Sequence, residues 1–380
     1  MSAARGASSS AAPAGAQRRG PLTGLRIVEF AGLGPGPFAA MMLADMGADV
    51  VRVGRRGVPG MERGPTVRGR RSVDVDLKDP AEVAQVRALA GAADVVIEGF
   101  RPGVMERLGL GPEVLLADNP RLVYGRMTGW GQSGPLAERA GHDIDYIAIT
   151  GALASMGHAG QAPAIPLNLV GDYGGGALYL VAGILAAYIE ALASGRGQVV
   201  DAAICDGTVS LMTLFQHLRH EGQWRDERGA NMLDTGAHYY NTYACRDGRY
   251  LAVGAIEPQF YAILRDKAGW SDPGFDRQND RSHWPSLKEK AAAMFRTRDR
   301  DEWVKILAGS DACGAPVLTL EEAERDPHLV AREAFVELDG VRQAAPAPRF
   351  SRTPSQARSS RAHDSVDEIL SDWNAAAPGA

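Results

Sequence analysis

Three side chains of this 380-residue chain have the chemistry to move protons: His142, Asp172 and Glu257. His142 follows a glycine-rich loop and opens an apolar segment reaching residue 153, so its imidazole is expected at the N-terminal end of a helix. Histidine takes or gives a proton near neutral pH, and backbone N–H groups at a helix start can hold a developing oxyanion. For so short a motif, a capping or surface histidine is the alternative.

Asp172 lies between an apolar lead-in and three consecutive glycines, which are followed by an almost uncharged run to Ile189. The run predicts a buried helix that starts after the glycines. Glycines before a helix let a ligand or another backbone come close, and the helix start offers unpaired N–H groups. The carboxylate of Asp172 is therefore expected where it can be held and reached, with an N-cap or turn aspartate as the alternative.

Glu257 directly precedes Pro258, after the second strand of a predicted hairpin. Proline at the first helical position makes Glu257 a candidate N-cap. The functional alternative is a carboxylate that hydrogen-bonds a histidine and orients it, as the third member of a triad.

Alternating strands and helices must position these groups. The predicted strands are residues 25–30, 49–53, 72–77, 94–97, 122–126 and 198–203, with helices at 38–46 and 80–90 among them. This alternation predicts an α/β fold with a large, Rossmann-like, doubly wound parallel sheet. Such sheets bind ligands at the carboxyl ends of their strands, which here carry Arg55, Lys78 and Arg101.

A cluster of arginines follows the second strand, where an NAD site would carry an acidic residue. Its members are Arg52, Arg55, Arg56, Arg63, Arg68, Arg70 and Arg71. Because the chain is acidic overall, a local arginine cluster favours a small polyanionic ligand over NAD. A solvated loop explains most of these arginines, and one or two are expected to contact ligand.

The pattern changes after residue 236. Segments 239–245 and 250–255 flank Asp247-Gly248, which predicts a hairpin and the beginning of a smaller α+β unit. Residues 206–220 before it predict one long connecting helix, and Thr319 with Glu322 forms a capping box for another. A last helix near residues 365–373 is expected to pack back on the first domain.

The composition is that of an ordinary globular protein, with 45% hydrophobic residues, 23% charged residues and a net charge of -5. This acidic balance excludes a general nucleic-acid binder. The three cysteines are far apart and form neither a disulfide framework nor a metal pair, which fits a reducing, cytoplasmic location. We expect no metal. We also expect no membrane span, since no apolar run reaches roughly 18 residues without polar or glycine interruption.

Five motifs in order resemble the α-methylacyl-CoA racemases of the family III CoA-transferase (CaiB/BaiF-like) superfamily. They are GFRPG at 99–103, TGWGQSGP at 128–135, AGHDIDY at 140–146, LVGDYGGG at 169–176 and GAIEPQFY at 254–261. The resemblance runs from about residue 21 to 373. It implies two interlocked rings in a homodimer, each chain with a large Rossmann-like domain and a small domain.

On this basis we expect a disordered tail at residues 1–20 and a large CoA-binding domain at 21–203. The large domain is followed by a linker helix at 204–235, a small domain at 236–320 and a return linker at 321–345. The C-terminal segment at 346–380 is expected to rejoin the large domain.

The resemblance also implies a reaction. A 2-methylacyl-CoA thioester would lose its C2 proton to one base and regain it from a conjugate acid on the other face, with an enolate between. His142, helped by Glu257, would serve one face and Asp172 the other, while the backbone N–H of Asp143 holds the thioester oxygen. Coenzyme A is then part of the substrate, and no separate cofactor is expected. The glycines after Asp172 would let the thioester approach.

The expected CoA contacts, by match of motif, are Arg55, Val75, Asp76, Leu77, Lys78, Gly99, Phe100, Arg101, Arg107, Gly141, Asp143, Ile144, Asp145 and Tyr146. Arginine and lysine supply charge for the phosphates.

Two rival functions remain. A family III CoA-transferase would move CoA between carboxylic acids with Asp172 as nucleophile, but it does not need a second base thirty positions upstream. A non-catalytic CoA-binding or scaffold protein would keep the arginines but has no use for His142, Asp172 and Glu257 together.

Overall fold

The computed structural model of this chain describes residues 18–56, 64–361 and 365–375. The predicted N-terminal tail lies outside the described residues as far as residue 17. The chain divides into two compact units: residues 1–127, 180–201 and 336–380 form the first, and residues 128–179 and 202–335 form the second. The domain limits inferred from sequence stay a prediction.

Eleven strands are present in the described part of the chain. They are β1 (Arg26–Phe30), β2 (Asp49–Arg55), β3 (Arg71–Val75), β4 (Val95–Glu98), β5 (Val123–Thr128), β6 (Val199–Ala203), β7 (Tyr240–Ala244), β8 (Tyr250–Gly254), β9 (Gly314–Pro316), β10 (Phe335–Leu338) and β11 (Val341–Ala344).

Fourteen α-helices accompany them among the described residues. They are α1 (Pro35–Asp45), α2 (Pro80–Gly91), α3 (Val104–Arg107), α4 (Pro112–Asp118), α5 (Asp143–Ala148), α6 (Leu178–Ser194), α7 (Ile204–Leu211), α8 (Thr213–His220), α9 (Pro258–Ala268), α10 (Trp284–Phe295), α11 (Arg300–Leu307), α12 (Leu320–Ala323), α13 (Pro327–Ala331) and α14 (Val366–Ala375).

The first six strands form one sheet in the order β3-β2-β1-β4-β5-β6. β1 pairs in parallel with β2 and β4, β2 with β3, and β4 with β5. Ile27, Val50 and Val95 are fully buried, because strands covered by helices on both faces carry continuous apolar runs. The predicted α/β fold with a doubly wound parallel sheet is confirmed.

Local sequence signals account for several helix starts. The side chain of Asp79 accepts a hydrogen bond from the backbone N–H of Ala81, with Pro80 at the first position of α2. Thr319 and Glu322 form the predicted capping box at α12. In α14, Val366, Ile369 and Trp373 are buried in the core that also contains Leu89 of α2.

The second unit contains the predicted hairpin. β7 and β8 pair antiparallel, and β9 adds a third strand beside β8. The turn uses Gly248 at φ +77°, in the left-handed region that glycine enters at low cost. The core of this unit is rich in aromatic side chains, including Tyr261, Trp270 and Phe295.

The single helix predicted over residues 206–220 is wrong, because the segment folds as α7 and α8 with Met212 between them. Met212 has ψ 3°, outside ordinary α-helical geometry. The Thr213 hydroxyl donates to the Ser210 carbonyl oxygen at 2.6 Å. Such local side-chain bonds compete with the helical ladder, which explains the break.

One helical stretch in the described part of the chain, Leu169–Ser194, is long and apolar enough to cross a bilayer by length and composition alone. Core helices of globular proteins have the same composition, so this stretch by itself does not indicate a membrane span.

Candidate active site

His142 is the N-cap of α5, as predicted, and its side chain is exposed. Its backbone N–H donates to Asp145 Oδ2 at 3.0 Å, and its carbonyl oxygen accepts from the N–H of Asp145 at 2.9 Å. The start of the helix is therefore held by Asp145. The helix ends at Ala148 and not near residue 153, and Gly151 beyond it has φ +84°.

The loop before His142 is held by Tyr146. The Tyr146 ring meets Trp130 edge to face at 4.7 Å, and its hydroxyl donates to the carbonyl oxygen of Gly141. A Cβ added at Gly129 would lie 2.0 Å from the Tyr146 ring, and one at Gly141 would lie 2.7 Å from it. Both glycines are thus required by packing, which fixes the approach to His142.

Asp172 lies inside the first turn of a helix and not before its start, so the predicted helix start after the glycines is wrong. The stretch Leu169–Ala177 is a wide, π-type helix that continues into α6. Its hydrogen bonds span five residues, as from the N–H of Tyr173 to the carbonyl oxygen of Asn168 at 3.2 Å. π-type turns are rare and occur frequently at functional sites.

The glycines after Asp172 serve helix packing. A Cβ at Gly175 would lie 2.5 Å from Thr208 Oγ1, and one at Gly207 would lie 1.9 Å from the Gly175 carbonyl oxygen. Glycine on both sides therefore lets α7 touch the π-type helix backbone. The close neighbour at Gly175 is therefore α7, and the approach of a thioester to the glycines stays a prediction.

The side chain of Asp143 joins the two halves of the site. Its Oδ1 accepts the backbone N–H of Asp172 at 2.6 Å, and the N–H of Gly171 also stabilises this carboxylate. Burial nevertheless raises the pKa of Asp143. Asp143 was expected as a CoA contact, with its backbone N–H on the thioester oxygen. The contact of its side chain with Asp172 was not predicted, and an acid in the first turn of a helix was the local signal for it.

The pKa of Asp172 is raised, first by burial and second by the negative charge of Asp143. The Asn168 amide, 3.5 Å from Oδ2, and the charge of His142 act weakly in the opposite direction. Asp172 thus keeps its proton to a higher pH than an ordinary aspartate. This is the property that a proton donor in a reversible proton transfer needs.

Glu257 is the N-cap of α9, and its side chain is exposed. Its carbonyl oxygen accepts from the N–H of Tyr261 at 2.9 Å. Among the described residues, no hydrogen bond or ion pair joins its carboxylate to His142 or to any other side chain. Its support of His142 therefore stays a prediction.

Four cations of the first unit are exposed and have no ion-pair partner among the described residues: Arg55, Lys78, Arg101 and Arg107. Arg55 closes β2 and lies in register with Val75, which closes β3. Lys78 and Arg101 follow the ends of β3 and β4. They lie at the carboxyl edge of the sheet, where a phosphorylated ligand is expected.

The backbone of this edge is held by carboxylates. Glu82 accepts the N–H of Asp76 at 2.7 Å, and Glu98 accepts the N–H of Phe100 at 2.8 Å. Leu77 is partly buried against the core of the sheet. A Cβ at Gly99 would lie 3.3 Å from the Met127 carbonyl oxygen, so the loop passes close to β5.

Three further arginines of the predicted basic cluster are buried in ion pairs, which corrects their interpretation as a solvated loop, whereas Arg56 is exposed and pairs with Glu82 at 2.9 Å. Arg68 pairs with Asp45 at 2.6 Å, Arg70 with Glu29 at 2.7 Å, and Arg71 with Asp49 at 3.4 Å. All six side chains are at most 9% exposed. These arginines hold the fold together, while Arg63 lies outside the described residues.

Within the described ranges, no group of three or more His, Cys, Asp or Glu side chains has an arrangement that could hold a metal ion.

The first unit presents exposed cations at the carboxyl edge of its parallel sheet, and the second presents a histidine and an aspartate on two neighbouring helices. The family model for CoA-transferase family III matches residues 22–362, and the chain belongs to this family. The resemblance seen in the motifs is thereby confirmed.

Individual relatives agree. The chain is 47% identical to α-methylacyl-CoA racemase from Mus musculus over 336 residues, which covers 88% of this chain and 87% of the relative. It is 44% identical to α-methylacyl-CoA racemase from Homo sapiens over 335 residues, with the same coverage. A CAIB/BAIF family protein from Brucella suis matches in structure with a TM-score of 0.79 at 27% identity, over 94% of this chain and 100% of that chain.

Proposed function

We propose that this protein is an α-methylacyl-CoA racemase, an isomerase that interconverts (2R)- and (2S)-2-methylacyl-CoA thioesters by 1,1-proton transfer. The observation that carries the proposal is the link between two proton-transfer groups. His142 precedes Asp143 at the start of α5, and the Asp143 carboxylate accepts the backbone N–H of Asp172 at 2.6 Å. Two groups in a fixed relation are what a two-base reaction requires.

The reaction uses each group in both of its forms. In one direction, His142 takes the proton from C2, and protonated Asp172 delivers a proton to the opposite face of the enolate. In the other direction, ionised Asp172 takes the proton and the imidazolium of His142 returns one. The raised pKa of Asp172 supports the proton-bearing form that the first direction needs.

The start of α5 suits the enolate oxygen. The N–H of Asp143 is the first of this helix and donates no hydrogen bond to another described residue. A free N–H at a helix start is pre-oriented to stabilise negative charge as it develops. The thioester oxygen would bind here, beside the C2 carbon that changes configuration.

The phosphates of coenzyme A would bind at the carboxyl edge of the sheet. Support comes from the exposed side chains of Arg55, Lys78, Arg101 and Arg107, which lack ion-pair partners among the described residues. The loops that carry Lys78 and Arg101 are held by backbone N–H groups that donate to the carboxylates of Glu82 and Glu98. The segment 141–146 would contact the part of CoA nearer the thioester.

Glu257 would orient His142 and stabilise its imidazolium. Its exposed carboxylate makes no hydrogen bond or ion pair with another described side chain, so it is available to a group outside the single chain. Glu257→Gln is expected to lower kcat less than a substitution of His142 does, because an orienting group does not itself move the proton.

We further propose that the active form is the interlocked homodimer that the resemblance implies. The stretch Leu169–Ser194 supports this proposal, because Leu178, Ile189 and Leu192 on it are 47%, 68% and 55% exposed in the single chain. Light scattering should give twice the mass of the 380-residue chain, and a monomer that is fully active would overturn the proposal.

A cytoplasmic location is supported by the three cysteines, Cys205, Cys245 and Cys313, all of which are free thiols. Thiol titration of the unfolded protein, isolated without reductant, should find all three reactive.

The proposed reaction is tested by incubation with one epimer of a 2-methylacyl-CoA in D2O. We expect deuterium at C2 in both epimers and approach to an equal mixture of the two. Absence of exchange, together with transfer of CoA to an added free acid, would replace the racemase with a CoA-transferase.

A further inference from the structure

The carboxylate of Asp143 has an unusual set of neighbours. Oδ1 accepts the N–H of Asp172 at 2.6 Å, while Oδ2 is buried and has no hydrogen-bond partner. No lysine or arginine among the described residues pairs with it. A buried carboxylate without a cation is costly, and stability alone does not explain it.

The backbone opposite Asp143 is adapted to this contact. An ideal Cβ at Gly171 would lie 2.3 Å from Asp143 Oδ1 and 2.9 Å from Ile147 Cγ2. Any side chain at position 171 would therefore displace either the carboxylate or the first turn of the π-type helix. The same glycine supplies an N–H that stabilises the carboxylate.

We propose, on the basis of the racemase function above, that the Asp143 carboxylate is a positioning residue that fixes Asp172 relative to His142. The covalent half of the link is the peptide bond between His142 and Asp143. The other half is the short hydrogen bond from the backbone of Asp172. Because each base acts on the same C2 atom, their separation must be held closely.

The Asp143 carboxylate has a second effect. Its negative charge lies close to Asp172 and favours the protonated form of that side chain. Geometry and charge can be separated by substitution, because asparagine keeps the Oδ1 acceptor and removes the charge, whereas alanine removes both.

The test measures kcat, KM and the pH profile of epimerisation, with deuterium exchange as the assay. Asp143→Ala and Gly171→Ala should each lower kcat roughly 100-fold with little change in KM, because a displacement of about 1 Å has that effect. Asp143→Asn should stay within about 10-fold of the wild-type kcat. In that variant, the limb of the pH profile that follows Asp172 should move to lower pH.

Asp326 offers a matched control in the same compact unit. One oxygen of its carboxylate accepts the N–H groups of His328 and Leu329, both at 3.0 Å, at the start of α13. Far from any base in sequence, Asp326→Ala removes the same kind of contact, and Asp326→Asn keeps the acceptor oxygen and removes the charge. They should change the melting temperature but neither kcat nor the pH profile.

Wild-type kcat in folded Asp143→Ala would overturn the positioning role, and an unchanged pH profile in Asp143→Asn would overturn the effect of its charge, while the racemase function stands. If Asp143→Ala does not fold, Asp143→Asn and Gly171→Ala decide. Absence of exchange in the wild-type protein would overturn both proposals together.

Discussion

The carboxylates of the sheet and those of the candidate site differ in their partners. In the first unit, Glu29 lies 2.7 Å from Arg70, Asp45 lies 2.6 Å from Arg68, and Glu98 lies 2.9 Å from Arg126. In the second unit, the Asp143 carboxylate accepts the backbone N–H of Asp172, and neither aspartate pairs with an arginine or lysine among the described residues.

The difference separates charges that stabilise the fold from charges that can change protonation. Burial raises the pKa of Glu29, Asp45 and Glu98, and the guanidinium beside each of them opposes that rise and favours the anion. For Asp172 the two effects add, since burial raises its pKa first and the negative charge of Asp143 raises it further. Substitutions in the first group should affect stability, and those in the second should affect rate.

The largest effect is expected at the two bases. His142→Gln and Asp172→Asn should each lower kcat for epimerisation by about 10²–10⁴, because proton transfer by a positioned side chain contributes that much. Epimerisation is followed by separation of the two product epimers, and circular dichroism checks that each variant is folded. Wild-type rates in either folded variant would contradict the two-base scheme.

Breaking a buried pair should instead destabilise the protein. Arg70→Met leaves Glu29 buried without its partner and should lower the free energy of unfolding by about 3–5 kcal/mol. It also removes the Arg70 bonds to the carbonyl oxygens of Thr66 and Pro37. Urea unfolding measures the loss. The double variant with Glu29→Gln should recover part of it, and a stability equal to wild type in Arg70→Met would refute the structural role.

The second unit also buries a group that is held neutral. Burial lowers the pKa of His238 to about 4, and its Nε2 lies 2.6 Å from the Tyr261 hydroxyl. Tyr261 in turn donates to the Phe275 carbonyl oxygen at 2.9 Å. The folded pKa is below the ordinary value of 6.5, so its contribution to stability is complete above pH 6.5 and declines as the pH falls toward 4.

The lowering of the His238 pKa from 6.5 to about 4 corresponds to a loss of about 3 kcal/mol in the free energy of unfolding at low pH. Urea unfolding at pH 7 and at pH 4.5 measures the decline. In His238→Gln, which does not titrate, the same pH change should cost less, and an equal loss in both proteins would assign the decline to other groups.

The smallest effect is expected at the exposed cations. Arg101→Ala should raise KM for an acyl-CoA about 10-fold with kcat unchanged, which corresponds to about 1.4 kcal/mol of phosphate binding. An acyl-pantetheine substrate, which lacks the nucleotide phosphates, should show no difference between variant and wild type. Arg87→Ala is the matched control, since Arg87 is an exposed arginine of the same unit paired with Asp118 at 2.5 Å.

Local patterns predicted the elements well where a short stretch of chain decides the outcome. The apolar runs before Arg55 and Lys78 form the parallel strands β2 and β3. The Asp79-Pro80 start of α2 and the Thr319 capping box of α12 formed as expected. His142 at a helix start also follows from its neighbours alone. Each of these features depends on hydrogen bonds within a few residues.

Patterns failed where distant segments decide. The glycines at 174–176 predicted a helix that begins after them. In the structure the helix already contains Asp172, and α7 packs against Gly175. The arginines at 68, 70 and 71 were predicted to be solvated. The prediction failed because their carboxylate partners are 22 or more residues away along the chain. Sequence periodicity carries no signal for such pairs.

The sequence by itself determined the parallel α/β sheet, the carboxyl edge with its cations, and the identity of His142 and Asp172 as the two candidate bases. The sheet and its edge follow from residue types and short-range spacing, whereas the roles of the two bases follow from the resemblance of five motifs to the racemases. Only the tertiary structure decided which arginines are buried, where the helix of Asp172 begins, and that Asp143 lies between the two bases. The reason is physical: burial and charge pairing depend on which segments meet in space, and the Asp143 carboxylate reaches the Asp172 backbone across 29 residues of chain.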